Sequence, residues 1–242
     1  MLIQKNPLTV LGTITRCWLF TYGTSIEDAR RLLPRGLEPI THNGRAFWNV
    51  VYSSIHNMRP PGVPAPLGVD YWHVGYRLYV SCPLANGETV EGLWFARSDC
   101  DNLFMSIAGN LLTDFNFHTA GIRINESNGA VDLRIDSREA PMRARLIDER
   151  PAALPSGSAF ASLDEAAAFL KYKPYDISIE PDGRANVVRI ARDEDAWRSR
   201  LVRVEEQRWA FFDDKSVRPE ICYQVDPIVY RWNRARVYET AR

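Results

Sequence analysis

Short apolar runs rich in β-branched and aromatic residues, bounded by Gly, Asn and Pro, recur along the chain and predict strands more than helices. The first is Thr13–Tyr22 (TITRCWLFTY). Leu37–Thr41 and Ala46–His56 read as a hairpin around His42-Asn43-Gly44, where the Asn-Gly step supplies the positive φ of a tight turn. Tyr71–Ser81 and Thr89–Ser98 form a second hairpin across Leu84–Glu88. Further strands are expected at Phe115–Asn125, Val131–Asp136, Met142–Asp148, Ile177–Glu180, Asn186–Ala191, Ile221–Val225 and Ile228–Trp232. Arg200–Phe212 fits neither period cleanly. Three stretches carry the helical period instead. Ser25–Leu33 starts on a Ser cap with an acidic third residue and stops at Pro34. Asn102–Leu112 has apolar residues at 103, 104, 107, 108, 111 and 112, with Asp101 placed to cap it. Ser162–Leu170 opens with Ser162 and Glu165 in capping-box spacing.

The segment RPPGVPAPLG (59–68) has four prolines and two glycines and is a stiff loop, suited to walling a pocket or to a plain surface crossover. Pro151–Ser158 is a second loop. There is no internal repeat and no linker that would split the chain, so residues 1–242 read as one domain. Ten to twelve strands and three short helices make it a mainly antiparallel α+β domain. At 242 residues it is long enough to bury a sizeable core without a staple.

Thirty basic residues balance thirty acidic ones, so nothing in the charge favours nucleic acid or an anionic membrane as partner. No apolar run approaches a membrane span, and the N-terminus lacks the pattern of a signal peptide. Cys17, Cys82, Cys100 and Cys222 form no C-x-x-C pair and no disulfide framework. Three of them sit in apolar runs, and reduced thiols in a cytoplasmic protein are expected. The basic residues are almost all Arg. Only Lys5, Lys171, Lys173 and Lys215 could become neutral amine nucleophiles.

Strand alternation sorts the candidates for chemistry. Asp114, Asn116 and His118 share one face, and Phe115, Phe117 and Thr119 the other. Tyr71, His73, Arg77 and Tyr79 share a face, as do Trp48, Tyr52 and His56. A ligand-holding barrel mixes polar and aromatic residues inside, which fits His118, Asn116, His73, Arg77 and Tyr52. A histidine titrates near neutrality and can act as general acid or base, although a half-buried histidine bonded to a carbonyl accounts for the same residue. Arg77 and Arg59 can hold a carboxylate in two hydrogen bonds, and each alone also reads as a surface ion pair. Asp99 reads as a helix cap beside Asp101. Lys171 and Lys173 place two amines on one strand face, or simply protect a solvated edge. The histidines lack metal-ligand spacing, and no G-x-S-x-G, Walker or dinucleotide fingerprint is present, so no metal and no cofactor are expected.

Several segments in order resemble an uncharacterised bacterial family of the acetoacetate decarboxylase-like superfamily. ARRLLPRGLEPITHNGRAFWNVV is similar to that family's LLPPGLE…DGRAWVGLV run, and RPPGVPAPLG to its Pro-rich loop. GLWFARSDCDNLFMSIAG, DFNFHTAGIRI and ICYQVDPIVYRWNRARV match further family segments. The resemblance spans nearly the whole chain and implies a distorted closed β-barrel with a few short outer helices and a central pocket. In decarboxylases of the superfamily, the strand after the central helix carries a Schiff-base lysine. The matching stretch here, Thr113-Asp114-Phe115-Asn116-Phe117-His118, contains none, so the chain should not be a lysine-dependent decarboxylase. The resemblance also puts His73 where those enzymes place a pocket glutamate, and His118 on their reactive strand.

The expected function is therefore a small-molecule pocket protein. The first reading is an enzyme acting on a small oxo-acid or related carbonyl compound by histidine acid–base chemistry, of lyase or isomerase type. In that reading His118 and His73 are catalytic, and Asn116, Arg77, Tyr52 and Arg59 bind substrate. A non-catalytic small-molecule binding protein, or an assembly subunit with a vestigial pocket, remains as an alternative. The partner is a small molecule, with homo-oligomerisation possible.

Overall fold

A computed structural model describes residues 5–241. Its strands are β1 (Val10–Ser25), β2 (Glu38–Pro39), β3 (Thr41–His42), β4 (Arg45–Arg59), β5 (Val69–Pro83), β6 (Thr89–Cys100), β7 (Phe117–Thr119) and β8 (Gly121–Ser127). They continue as β9 (Ala130–Asp136), β10 (Met142–Ile147), β11 (Tyr175–Ile179), β12 (Ala185–Arg192), β13 (Ser199–Trp209), β14 (Val217–Val225), β15 (Ile228–Trp232) and β16 (Arg236–Tyr238). The helices are α1 (Ile26–Leu32), α2 (Leu103–Leu112) and α3 (Leu163–Phe169). The fold is α+β and mainly antiparallel.

The strand β1 organises everything else. One of its edges pairs with β4 along nearly its whole length. Its other edge pairs with β15 over Val10–Ile14 and with β14 from Cys17 onward. The first pairing closes a ring, β1-β4-β5-β6-β11-β12-β15 and back to β1. The second sends the chain through β14, β13, β10, β9 and β8 into a layer that packs against the outside of the ring. The result is a distorted closed barrel, and its parallel β6–β11 pairing departs from simple antiparallel order.

Strands β1, β4 and β5 consequently have no solvent face over most of their length, and their burial is almost continuous. Alternation divides them between two cores. Over the regular stretches even-numbered residues, among them Trp18, Trp48, Tyr52, Tyr76 and Leu78, pack outward against the second layer, whereas near the bulged outer ends Val10, Ile14 and Met58 turn into the ring. Odd-numbered residues, among them Cys17, Leu19, Val51, Ile55 and Tyr71, point into the ring.

Some local expectations change. Asn102, not Asp101, caps α2: its side-chain oxygen accepts the Met105 amide at 3.1 Å. Asp101 accepts the Trp72 amide at 2.7 Å and ties the helix start to β5 instead. Asp99 is no cap either, since it is fully buried and paired with Arg97 at 2.8 Å. The single strand expected over 115–125 is broken by Asn116, which has φ +51, and by a change of partner: β7 runs parallel to β6, whereas β8 crosses to β9. The ambiguous stretch at 200–212 is mostly the strand β13, followed by one short 3-10 turn. The count exceeds the expected ten to twelve strands because two- and three-residue pieces such as β2, β3, β7 and β16 pair as well. Among the described residues no helix is long and apolar enough to cross a membrane.

Helix α2 lies across one end of the ring, close against β7. A Cβ at Gly109 would overlap the Phe117 ring. Helix propensity alone favours Ala over Gly by about 1 kcal/mol at an interior helical position. Gly109→Ala should instead destabilise the protein by about 1–3 kcal/mol through overpacking, read from urea unfolding. Stabilisation would contradict this placement of α2.

All four cysteines are buried and unbonded. Burial pushes the Cys17 thiol up to about 12 and the Cys100 thiol up to about 11. An aromatic disulfide reagent near neutral pH should react slowly with the native protein and count four thiols after denaturation. Rapid native labelling, or fewer than four on unfolding, would contradict this.

Candidate active site

The ring encloses a cavity of about 200 Å³. Its walls come from β1, β4, β5 and β6, from β11, β12 and β15, and from α2 with the segment before β1. Strand register gives it depth. Asn49 pairs with Arg77, Ser53 with His73 and Ile55 with Tyr71, so β4 and β5 step together from the inner end toward the mouth. Leu8 and Leu112 both line the cavity and are solvent-exposed, which places the opening between the N-terminal segment and α2.

At the inner end sits Arg77, 4% exposed. One guanidinium nitrogen donates to the Asn49 side-chain oxygen. The Asn49 amide donates to the Tyr79 hydroxyl at 2.8 Å, and Tyr79 donates to the Leu170 carbonyl at 2.6 Å. This chain fixes the arginine from behind. No carboxylate of the described residues lies within 4.0 Å of it, and its Nε has no partner.

Three more polar groups face the same space without partners: both oxygens of Asp176, Nε2 of His73 and the Tyr172 hydroxyl. Asp176 is 2% exposed, and burial raises its carboxyl to about 7, with the Arg77 charge pulling the other way. His73 is pushed down to about 3, first by burial and then by the Arg77 charge, so its imidazole is neutral at physiological pH. Leaving buried polar groups unsatisfied costs about 1–3 kcal/mol each, and more for charged ones. Four in one cavity, including a cation and an acid that do not pair, mark a place prepared for a ligand.

The wall around His73 is aromatic. Its ring lies 5.4 Å from Phe117 and 6.2 Å from Phe95, and Phe95 stacks on Phe115 at 4.1 Å. Between His73 and Arg77 stands Gly75, where a Cβ would come within 2.8 Å of the Phe95 ring and 3.2 Å of His73. The missing side chain leaves room for that aromatic panel.

The six residues singled out from sequence separate here. His73 and Arg77 line the cavity. His118 does not: it is half-buried on the opposite face of β7, with Nδ1 3.6 Å from Glu139 in a cluster with Arg97 and Asp99. Asn116 turns away as well and donates to the Ala96 carbonyl at 2.9 Å. The strand parity expected for this stretch is inverted, and Phe115 and Phe117 face inward in their place. Tyr52 is on an even position of β4, so it points into the outer core, where its hydroxyl donates to the Arg123 carbonyl at 2.8 Å. Arg59 bonds the Val63 and Asn57 carbonyls at 2.9 and 2.8 Å and braces the Pro-rich loop.

Asp176 and Tyr172 were not anticipated. Both lie in KYKPYDISI, whose lysines suggest an exposed edge. The available signal was a lone carboxylate at the head of an apolar strand. The lysines themselves stay out of the cavity. Lys171 lies 5.6 Å from the Trp197 ring, Lys173 pairs with Glu91 at 2.6 Å, Lys5 caps the carbonyl end of α2, and Lys215 bonds the Phe211 carbonyl at 2.8 Å. Cys17 lines the cavity but is a neutral thiol, for the reason given above. Among the described residues no three His, Cys, Asp or Glu side chains converge as metal ligands do.

Solved structures share this architecture. An acetoacetate decarboxylase-like enzyme from Sphingomonas wittichii RW1 superposes with a TM-score of 0.60 at 15% identity, covering 97% of this chain and 94% of that one. Acetoacetate decarboxylase from Legionella pneumophila gives 0.60 at 12% identity, with 95% and 87% covered. The enduracididine biosynthesis enzyme MppR complexed with pyruvate gives 0.59 at 12% identity, with 98% and 91% covered. At these identities the likeness establishes the fold. No curated protein matches by sequence. Residues 13–230, which run from β1 to the middle of β15, match the DUF2071 family, described as an uncharacterized conserved protein, and this chain belongs to that family.

Proposed function

We propose that the chain is an enzyme of one cytoplasmic domain that moves a proton on the carbon beside the carbonyl of an oxo-acid, without a lysine imine. The observation that carries this reading is the set of buried polar atoms without partners in one cavity: Arg77 Nε, both Asp176 oxygens, His73 Nε2 and the Tyr172 hydroxyl. Fold relatives named as an acetoacetate decarboxylase and as a pyruvate complex support an oxo-acid as the substrate class.

The protonation states assign the roles. A guanidinium with free donors holds a carboxylate. A carboxyl poised at about 7 is half ionised at neutral pH and suits a general base. A histidine at about 3 is too weak a base for this work, but as a neutral imidazole it can donate a hydrogen bond to a carbonyl oxygen, an arrangement that the handling of charge in other enolising enzymes also uses. This replaces the histidine base expected from sequence. Asp176 takes the proton from the α-carbon. The C–H pair becomes the new C=C bond, and the carbonyl π pair moves to oxygen, where the His73 N–H stabilises the enolate. Return of the proton at another position gives an isomerase outcome, and expulsion of a neighbouring group gives a lyase outcome.

Solvent exchange tests this. Incubated in D₂O with a 2-oxo-acid, the protein should accelerate loss of the NMR signal of the C3 protons, those beside the keto group. Asp176→Asn should slow exchange by about 10²-fold or more. Arg77→Gln should chiefly raise KM. The wild-type rate should climb as pH passes about 7, where Asp176 ionises. Tight, Arg77-dependent binding with no exchange for any oxo-acid would favour a non-catalytic binding protein.

The same two groups set a pH signature in stability. Asp176 keeps its proton to about 7 when folded, against 3.8 for a free side chain, so its contribution falls as pH rises through that window. His73 stays neutral to about 3 when folded, against 6.5, so its contribution is lost as pH falls through that window. The slopes are about 1.4 kcal/mol per pH unit each and oppose one another between about pH 4 and 6.5. Acidification over that range should destabilise Asp176→Asn and stabilise His73→Phe relative to wild type, measured by urea midpoints. Parallel profiles for all three proteins would contradict the assigned protonation states.

A further inference from the structure

The cavity is two-ended. Arg77, its Asn49 support and the Asp176 carboxyl occupy the inner end, fixed by register at the level of Phe95. From His73 outward the lining becomes mostly apolar, with Asn6, Thr113 and Asn233 as polar exceptions near the mouth. Met105, Ala108 and Leu112 of α2 form one side, Leu8 and Val10 another, and Trp232 of β15 closes a third. A two- or three-carbon acid held at Arg77 would leave that outer half unfilled. An apolar cavity of about 150 Å³ stays dry and accommodates a benzene ring. This one, at about 200 Å³, has room for a ring or branched chain plus a short acid.

Resting on the reading of Arg77 as the carboxylate clamp, we infer that the substrate is an oxo-acid with an apolar aromatic or branched body of about six to nine carbons, its acid at Arg77 and its body against α2 and Trp232. The aromatic wall of Phe95, Phe115 and Phe117 beside His73 suits an aromatic ring or a conjugated enolate packed against it. The exposed apolar side chains of Leu8 and Leu112 at the mouth give such a body an apolar path inward.

Calorimetric titration of the wild-type protein with pyruvate, 4-methyl-2-oxopentanoate and phenylpyruvate tests this without any variant. Affinity should rise along that order, by about fourfold for each methylene-sized group buried. Ala108→Phe, which fills the outer half, should weaken phenylpyruvate at least tenfold more than pyruvate. Affinity that is flat or falls with size overturns the inference, and if such binding still depends on Arg77 the proposed function stands. Phenylacetone binding as tightly as phenylpyruvate, with Arg77→Gln no weaker than wild type, overturns the carboxylate clamp while the apolar end stands. Binding of none of these compounds overturns both.

Discussion

With both faces of β1, β4 and β5 covered, every residue on these strands must suit one of two interiors, and the choice between them alternates residue by residue. The outer interior is filled by large side chains such as Trp18, Trp48 and Tyr76 packed against the second layer. The inner one is left partly open. Because the strands are fixed from outside by that packed aromatic layer, the odd-numbered side chains can stand around a space without the ring collapsing onto it. Burying those aromatics stabilises the fold by a few kcal/mol each, so the same interaction that closes the barrel also pays the cost of a cavity holding unpaired polar groups.

Charge in the cavity follows from the same enclosure. Arg77 is positioned by neutral partners, Asn49 and Tyr79, and is left without a counter-ion. Asp176 stands two strands along the ring wall, across β6, near enough to feel the arginine but not to pair with it. A direct ion pair would have fixed both charges and lowered the carboxyl. Held apart, the arginine keeps its donors for a ligand, and the carboxyl remains poised to exchange a proton near neutrality. His73 lies between apolar rings and one cation, and both keep it neutral. The chemistry available is set by these three environments, with no amine and no reactive thiolate among the described residues that line the space.

The segment after α2 decides what else enters the cavity. Gly109 lets the helix settle against Phe117, and Asn116 takes a left-handed backbone conformation just before β7. Phe115 and Phe117 face inward, and His118 faces the Arg97, Asp99 and Glu139 cluster outside. The wall is therefore aromatic on this side. The cavity gains an apolar panel beside His73, and a second histidine is removed from it.

The sequence by itself determined the strand-rich α+β class, the three helices and most hairpins, because side-chain alternation, Asn-Gly turns and cap residues act over a few neighbouring residues. It also identified β5 as a strand carrying His73 and Arg77 on one face, since that strand is regular from Tyr71 to Tyr79 and parity carries along it without a break. It could not say that Tyr52 faces a second core, because alternation gives two faces and names neither when both are buried. It grouped Asn116 with His118 and Phe115 with Phe117 as alternation requires, but misplaced the first pair inside, because alternation does not say which of two faces is the inner one. It passed over Asp176, whose burial comes from β6 and β12, the first of them some eighty residues away along the chain, and nothing in its immediate neighbours records that enclosure. Local pattern fixed which elements form. Closure of the ring through β1 and β15, a pairing between the two ends of the chain, decided which of their faces became the site.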